Sequence, residues 1–386
     1  MQVWALDKQQ QFGDSCIAER GRESFSYDSI QVLGRAMAEK DSRPPRSHTY
    51  DAILFVSFGG PESPDDVIPF LENVLRGKNV PHARMLEVAE HYRQLGGVSP
   101  INEQCRTLIA SLKAELAEHG HALPVYWGNR NWHPMLAEAL LQMRSDGVQH
   151  ALAFMTSAFS SYSGCRQYRE DIACAQVSVG EGAPKVDKLR VFFNHPGYID
   201  PMRERIQRAI DQMAVSRRAA THIVFTAHSI PVAMARGCAY EEQLRESCRL
   251  VAEAFPDQSW ELAFQSRSGP PSMPWLEPDI LDCLRKLHAD KQITDVVIAP
   301  IGFISDHLEV LFDLDTEAAA LCAELGLNMV RAATVGTHPR FVSMIRELID
   351  ERIKGTGKKC LGRLGPYHDI CPPDCCLSGR PPTTSH

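Results

Sequence analysis

Short apolar runs alternate with longer amphipathic stretches along most of the chain, from residue 51 to residue 353. The first run, AILFVSF at 52–58, stops at Gly59-Gly60-Pro61. Strands of four to eight residues that alternate with helices predict βαβ units and a parallel sheet. The runs that we interpret as strands are 52–58, 124–128, 150–156, 189–194, 222–227, 260–265, 294–300 and 328–333. The predicted helices are 103–118, 134–146, 201–214, 240–254, 278–288, 314–325 and 338–353.

The predicted fold class is α/β, with two similar doubly wound parallel sheets rather than one large sheet. A chain of 386 residues is long enough for two domains of ordinary size. The stretch at 180–188 contains glycine and proline and marks the expected boundary. The expected units are a poorly ordered extension (1–48), a first domain (49–184), a second domain with the metal site (185–354) and a cysteine-rich tail (355–386).

Composition and charge exclude several classes of function. The net charge is −7 and no basic domain stands out, which argues against nucleic-acid binding. Apolar runs are all shorter than the roughly 18–20 residues that cross a bilayer, so we expect no stable membrane insertion. The N-terminus lacks a basic segment followed by an apolar one, so we predict no secretory signal and a cytoplasmic location.

Polar side chains follow three consecutive predicted strands. Strand 222–227 runs into His228, strand 260–265 leads to Gln265 and Arg267, and strand 294–300 leads to residues 306–309. Ligands bind beyond the carboxyl ends of strands in doubly wound sheets. The alternative for His228 is a purely structural role, in which its side chain is hydrogen-bonded only to nearby backbone. The three strand ends taken together predict an active site at this edge.

Residues 306–317 place an acidic line beside a histidine. Glu309, Asp313 and Glu317 have i, i+4, i+8 spacing, so on a helix they lie above one another. Asp306 and His307 stand just before this line. Like charges at that spacing destabilise an ordinary surface helix. The pattern therefore suggests a path for a metal ion or a proton, with Glu317 its weakest member.

Five segments of the chain together resemble ferrochelatases, the enzymes that insert ferrous iron into a porphyrin. They are SFGGP at 57–61, GGVSPIN at 96–102, FTAHSIP at 225–231, FQSRSGPPSMPWLEPD at 264–279 and PIGFISDHLEVLFDLD at 300–315. The resemblance implies two doubly wound domains with the porphyrin in the cleft between them. The opening segment and the YSGC stretch are most similar to soluble actinobacterial-type coproporphyrin ferrochelatases.

The resemblance also implies roles for individual residues. His228 falls on the family's metal-binding and catalytic histidine, and Glu309 on its carboxylate partner across the macrocycle. We therefore expect one of them on each face of the ring, and Asp306, His307 and Asp313 match the supporting polar line. The expected porphyrin-binding residues are Ser99, Tyr168, Phe58 and Phe303. Phe58 departs from relatives that carry a tyrosine there, so this position cannot ligate iron.

Cysteines are unevenly placed along the chain. Of twelve, eight are scattered singly and four lie between residues 360 and 376. In a cytosolic protein such a cluster more often binds metal than forms disulfides. The resemblance implies a [2Fe–2S] cluster with Cys165 and three tail cysteines. We expect these to be Cys360, Cys371 and either Cys375 or Cys376; a zinc site or a free tail are the alternatives.

Other functions stay open at this point. A cobalt or nickel chelatase would have the same two-domain plan with a histidine and acidic metal site. A non-catalytic heme or metal carrier is the other alternative, although a carrier does not need a path by which protons leave the site. Among porphyrins, we favour coproporphyrin III, with its four propionates, over protoporphyrin IX. Weak membrane contact through 65–100 is the alternative, if Phe70, Leu71, Val74 and Leu75 are exposed. We expect a monomer whose partners are porphyrin, ferrous iron and, transiently, other heme-pathway enzymes.

Overall fold

The structure, a computed structural model, describes residues 50–76, 81–267, 272–291 and 293–378. The predicted N-terminal extension, residues 1–48, lies outside these ranges. Among the described helices, none combines the length and the apolar composition that crossing a bilayer requires.

Two four-stranded parallel sheets form the framework, which confirms the predicted fold class. The first has the order β2-β1-β3-β4 and the second the order β6-β5-β7-β8, so both have the same winding. The strands are β1 Ala52–Ser57, β2 Val125–Asn129, β3 His150–Met155, β4 Lys185–Lys188, β5 His222–His228, β6 Trp260–Gln265, β7 Asp295–Ala299 and β8 Asn328–Arg331. Ligands are expected where the winding reverses, beyond β1 and β3 and beyond β5 and β7.

Helices flank the sheets on both faces. They are α1 Val67–Leu75, α2 His82–Gln94, α3 Ile101–Glu118, α4 Leu136–Ser145, α5 Gln167–Val179, α6 Pro196–Asp211, α7 Val215–Arg218, α8 Val232–Ala235, α9 Tyr240–Ala252, α10 Ile280–Lys291, α11 Leu308–Val310, α12 Ala319–Leu325 and α13 Pro339–Ile353. A short 3₁₀ helix, Pro64–Asp66, and two π-helical segments, Tyr162–Arg166 and Leu311–Ala318, complete the set.

The fourth strand lies earlier in the chain than predicted. Residues 185–188 pair with β3, whereas the predicted strand at 189–194 is irregular. The apolar side chains of that stretch, such as Phe192 and Phe193, are buried in the core, and a buried loop has the same apolar pattern as a buried strand. The first sheet therefore continues four residues past the boundary expected at 184.

One hydrophobic cluster runs through both halves of the molecule. It contains Phe55 and Phe154 from the first sheet and Phe225 and Val297 from the second. Helix α13 packs against α6 and also returns to α3. The shared core fixes the two strand-end edges relative to each other, and the cleft between them is where the site lies.

The hairpin of α1 and α2 covers the start of the acidic helix. Phe70, Leu71 and Val74 are each at most 2% exposed and share a cluster with Leu308. The ring of His91 stacks on Phe312, with centroids 4.8 Å apart. The alternative of membrane contact requires these side chains to be exposed. Phe70, Leu71 and Val74 are not, because they pack against the second half of the molecule.

Candidate active site and cysteine cluster

His228 is the last residue of β5 and lies opposite Gln265 of β6. Its Nδ1 donates to the carbonyl oxygen of Ser229, so Nε2 carries the free lone pair. The hydroxyl of Tyr240 donates to the His228 carbonyl over 2.9 Å and fixes the backbone. Burial lowers the pKa of His228, although the Ser229 carbonyl and Asp313 act in the opposite direction. The side chain is still 28% exposed to the cleft, so a neutral imidazole is available there.

Glu309 lies directly beside this imidazole. Its Oε2 is 3.9 Å from His228 Nε2. A planar ring needs about 3.5 Å on each face, hence about 7 Å between two groups that sandwich it. The spacing does not fit the expectation that His228 and Glu309 face opposite sides of the macrocycle. At this distance there is no room for a planar ring between the two groups.

The acidic line lies on a helix that begins earlier than predicted and is partly π-helical. Residues 308–325 are continuous helix, with the wider turns at Leu311–Ala318. Such turns are frequent at functional sites. Asp313 is 4% exposed, and burial, together with Glu309 and Glu317, raises its pKa to about 7 despite the Ser266 hydroxyl. Burial also raises the pKa of Glu317.

Ser266 orients Asp313 from a strained backbone. Its φ is +59°, in the left-handed region that side chains other than glycine disfavour. In this conformation its Oγ donates to Asp313 Oδ2, and Gln265 Nε2 donates to the same oxygen over 3.2 Å. Within the described chain, Cys376 is the one further non-glycine residue with a positive φ. Strain of this kind is expected where a side chain must be aimed at a site.

Asp306 and His307 are placed differently from the rest of the line. Asp306 pairs with Arg331 over 2.8 Å, and its backbone is bonded twice to Gln104 of the first domain. It therefore joins the two halves instead of extending the line. His307 packs its ring edge-on to Phe303 at 5.1 Å, and burial lowers its pKa to about 4, with His228 contributing. His307 is neutral at physiological pH.

The four predicted porphyrin contacts differ in accessibility. Ser99 is 6% exposed and donates its N–H to the Pro61 carbonyl over 2.8 Å. Tyr168 is 5% exposed beneath the guanidinium of Arg130, 4.5 Å from its ring centre. Phe303 is also buried, in the core of the second sheet. Only Phe58 of the four keeps an intermediate exposure, beside the open end of β1.

Four cysteines from distant parts of the chain meet at one place. The Cys165 thiol lies close enough to those of Cys371 and Cys376 for each of them to shift its pKa. The sulfurs of Cys375 and Cys376 are 3.5 Å apart. His368 Nε2 lies 3.6 Å from the Cys375 sulfur. Arg166, next to Cys165, donates to the carbonyls of residues 373 and 375 and ties the tail to the first domain.

Among the described residues, the contacts found within this group do not include Cys360, which the sequence predicts as a ligand. The residues on either side of it are held elsewhere, because Arg190 donates to the Lys359 carbonyl and the Leu361 N–H donates to Asn194. Cys376 is buried and Cys375 half-buried, and their sulfurs are in contact, with a left-handed φ of +57° at Cys376.

A family model described as Ferrochelatase matches residues 50–353. The chain belongs to the ferrochelatase family. It is 60% identical to a ferrochelatase of Rhodopirellula baltica over 336 residues, covering 86% of this chain and 95% of that one. It is 49% identical to the coproporphyrin III ferrochelatase of Streptomyces coelicolor over 355 residues, covering 86% and 94%.

One solved chelatase is also similar to the chain. SirB from Bacillus subtilis with Fe³⁺ aligns with 79% of this chain and 96% of its own, at 12% identity and a TM-score of 0.48. As a ferrochelatase, the chain is an enzyme that inserts iron into a porphyrin, with porphyrin and Fe²⁺ as substrates.

Two groups at the ferrochelatase site were not found by reading the sequence. Arg130 directly follows β2, pairs with Asp171 and lies over the rings of Tyr168 and Phe58. The strand-end argument that found His228 applies equally to β2 and would have found it. Burial raises the pKa of Tyr92, and the nearby Glu309 carboxylate raises it further. A single helical tyrosine gives no comparable sequence signal.

The cysteine group fits an iron–sulfur cluster by the chemistry of its donors. Four thiols are the usual ligand set of a [2Fe–2S] centre, whose chemistry is one-electron transfer or structural bridging. Lys188 is buried beside them, and its Nζ has no hydrogen-bond partner within the described residues. A negatively charged centre at this place would give that ammonium a counter-charge.

Proposed function

We propose that this ferrochelatase inserts Fe²⁺ into coproporphyrin III, with His228 and Glu309 acting on one face of the macrocycle. The observation that carries the proposal is the 3.9 Å approach of His228 Nε2 to Glu309 Oε2, at the head of a buried acidic line. Carboxylate and imidazole are both suitable donors for Fe²⁺. The same two groups can accept the protons that the metal displaces.

The reaction replaces two pyrrole N–H protons with one Fe²⁺ ion. His228 is neutral because burial lowers its pKa, so Nε2 can bind the incoming ion or take a proton. Glu309 is the next acceptor, and Asp313 follows it along the helix. A carboxyl with a pKa of about 7 both accepts and releases protons near neutral pH, which suits a relay group. Glu317 then leads toward the outside.

Two observations support coproporphyrin as the substrate. Several relatives at 45–49% identity carry the name coproporphyrin III ferrochelatase. The hairpin of α1 and α2 buries Phe70, Leu71 and Val74 against the second half of the molecule, so these side chains are not available to dock on a membrane and collect a greasy porphyrin. A porphyrin with four propionates reaches the cleft from water.

The test is turnover of purified protein with Fe²⁺, Co²⁺ and Ni²⁺, each offered with coproporphyrin III and with protoporphyrin IX. We expect Fe²⁺ with coproporphyrin to give the highest kcat/KM. Equal or faster turnover of protoporphyrin would refute the substrate assignment. Preference for Co²⁺ or Ni²⁺ would indicate a different chelatase, and porphyrin binding without turnover would indicate a carrier.

We further propose that Cys165, Cys371, Cys375 and Cys376 hold a [2Fe–2S] cluster. The support is the proximity of Cys165 to Cys371 and Cys376, the contact of Cys375 with the buried Cys376 and the buried ammonium of Lys188. His368, Cys371 and Cys375 have ligand atoms within 4.8 Å of one another, so a zinc ion is the competing occupant.

Anaerobically purified protein tests the cluster through its visible absorption and its iron and sulfide content. Cys165→Ser should abolish all three signals, whereas Cys360→Ser, a tail cysteine outside the group, should leave them unchanged. Colourless wild-type protein that contains zinc and no sulfide would refute the proposal. The monomeric state, the cytoplasmic location, the domain limits and contacts with other heme-pathway enzymes stay predictions.

A further inference from the structure

Lys188 is a buried cation without a partner. It is the last residue of β4 and only 7% exposed. Its Nζ forms no hydrogen bond and no ion pair with any described residue. Burying an unpaired ammonium is costly, and chains avoid it unless a counter-charge is present. Lys185 begins the same strand but is exposed, with its Nζ 4.0 Å from Asp187.

The missing counter-charge can be located from the groups around Lys188. Lys188 ends β4, which pairs in parallel with β3, and β3 leads into the segment that contains Cys165. The positive charge of Lys188 accordingly lowers the pKa of the Cys165 and Cys371 thiols. The pKa of Cys371 is raised by its hydrogen bond with Cys165 and by burial, and Lys188 opposes this rise. Arg169 opposes it as well, and its Nε is also buried without a partner in the described structure. The unpaired ammonium of Lys188 and the guanidinium of Arg169 thus both act on one group of thiols.

Protonated thiols are neutral and cannot balance these cations. Four thiolates around two ferric ions and two sulfides sum to a net negative charge, which grows by one on reduction. We propose that Lys188 is the buried counter-cation of the cysteine-held cluster and a positioning residue for its assembly. The inference rests on the [2Fe–2S] centre proposed above. It adds that the positive charge of Lys188 is balanced only when the cluster is bound.

The inference predicts effects of opposite sign in the two states of the protein. With the cluster bound, Lys188→Met removes a stabilising charge, so the cluster should dissociate faster and its reduction potential should become more negative. Without the cluster, the same change removes an unpaired buried charge, so the apoprotein should become more resistant to urea. A lysine that served only packing would lose stability in both states when replaced.

The experiment compares wild type with K188M, the conservative K188R and the matched control K185M. Release of the cluster to a chelator is followed by visible absorption, and the potential by a redox titration read by EPR. Outer-sphere partners of metal sites commonly change affinity by about 10- to 100-fold, and K188M should release the cluster faster by a factor in this range. K188R should recover most of the loss, and K185M should match wild type.

The outcomes separate this inference from the proposals on which it rests. If wild type holds the cluster and K188M shows the same release rate and potential, Lys188 is not the counter-cation. An apoprotein that K188M destabilises would also overturn the inference. Wild type without sulfide would instead remove the cluster proposal itself. Iron insertion into porphyrin, which does not involve Lys188, reports on the chelatase site in each variant. K188Q replaces K188M if the latter does not accumulate.

Discussion

Asp313→Asn should make the protein more stable and less active at pH 8. Asp313 is 4% exposed, and its pKa rises from 3.8 to about 7 because burial disfavours the carboxylate. A carboxyl whose pKa is raised by folding binds its proton more tightly in the native state. Its contribution to stability is therefore complete below pH 4 and declines as the pH rises toward 7.

The size of this effect follows from the shift. About three pKa units at 1.36 kcal/mol each correspond to about 4 kcal/mol of stability lost between pH 4 and pH 7. Asparagine cannot ionise, so the variant should lack this loss. Its Oδ1 can still accept from Ser266 and Gln265, and its Nδ2 can donate to Gln265 Oε1, which has no partner in the described structure. The gain should therefore approach the full amount above pH 7.

Urea unfolding at pH 4.5 and pH 8 measures this directly. The difference in unfolding free energy between the Asp313→Asn variant and wild type should be small at the lower pH and several kcal/mol at the higher one, since other groups titrate alike in both. Iron insertion should fall about 100-fold, a typical loss for a removed proton acceptor. A difference that does not change with pH would show that Asp313 is an ordinary ionised carboxylate, and unchanged turnover would remove it from the proton path.

Three other substitutions test separate parts of the structure. His228→Ala should abolish iron insertion while porphyrin binding, measured by fluorescence quenching, survives; near-normal turnover would contradict the assignment. Ser266→Gly relieves the left-handed φ but removes the hydroxyl that lowers the Asp313 pKa, so the pH midpoint of activity should move upward. Arg190→Met leaves Glu351 buried without its 2.7 Å partner and should cost about 3–5 kcal/mol in urea unfolding, whereas adding Glu351→Met should recover much of it.

The strand-end edge was predictable because it depends on local pattern. Apolar runs that stop at polar residues located His228 and the loop before Glu309, and parallel pairing then brings such ends together. The relative placement of the two groups was not predictable. It depends on where the helix after β7 begins, and the structure starts it at Leu308, six residues before the predicted start.

The cysteine ligands show a second limit of the sequence. Spacing alone favoured Cys360, because adjacent cysteines seldom share one centre. The path of the tail also matters, since Arg190 and Asn194 bind the backbone on both sides of Cys360. These contacts join positions more than 150 residues apart, and a local pattern carries no information about them.

The two π-helical segments occupy equivalent places in the two sheets. In each half, the third strand of the chain leads into such a segment, Tyr162–Arg166 after β3 and Leu311–Ala318 after β7. The first contains Cys165 and the second contains Asp313. Because both sheets also share one strand order, the protein is a tandem of a single structural unit. The equivalent segment carries a thiol in the first half and a carboxylate in the second.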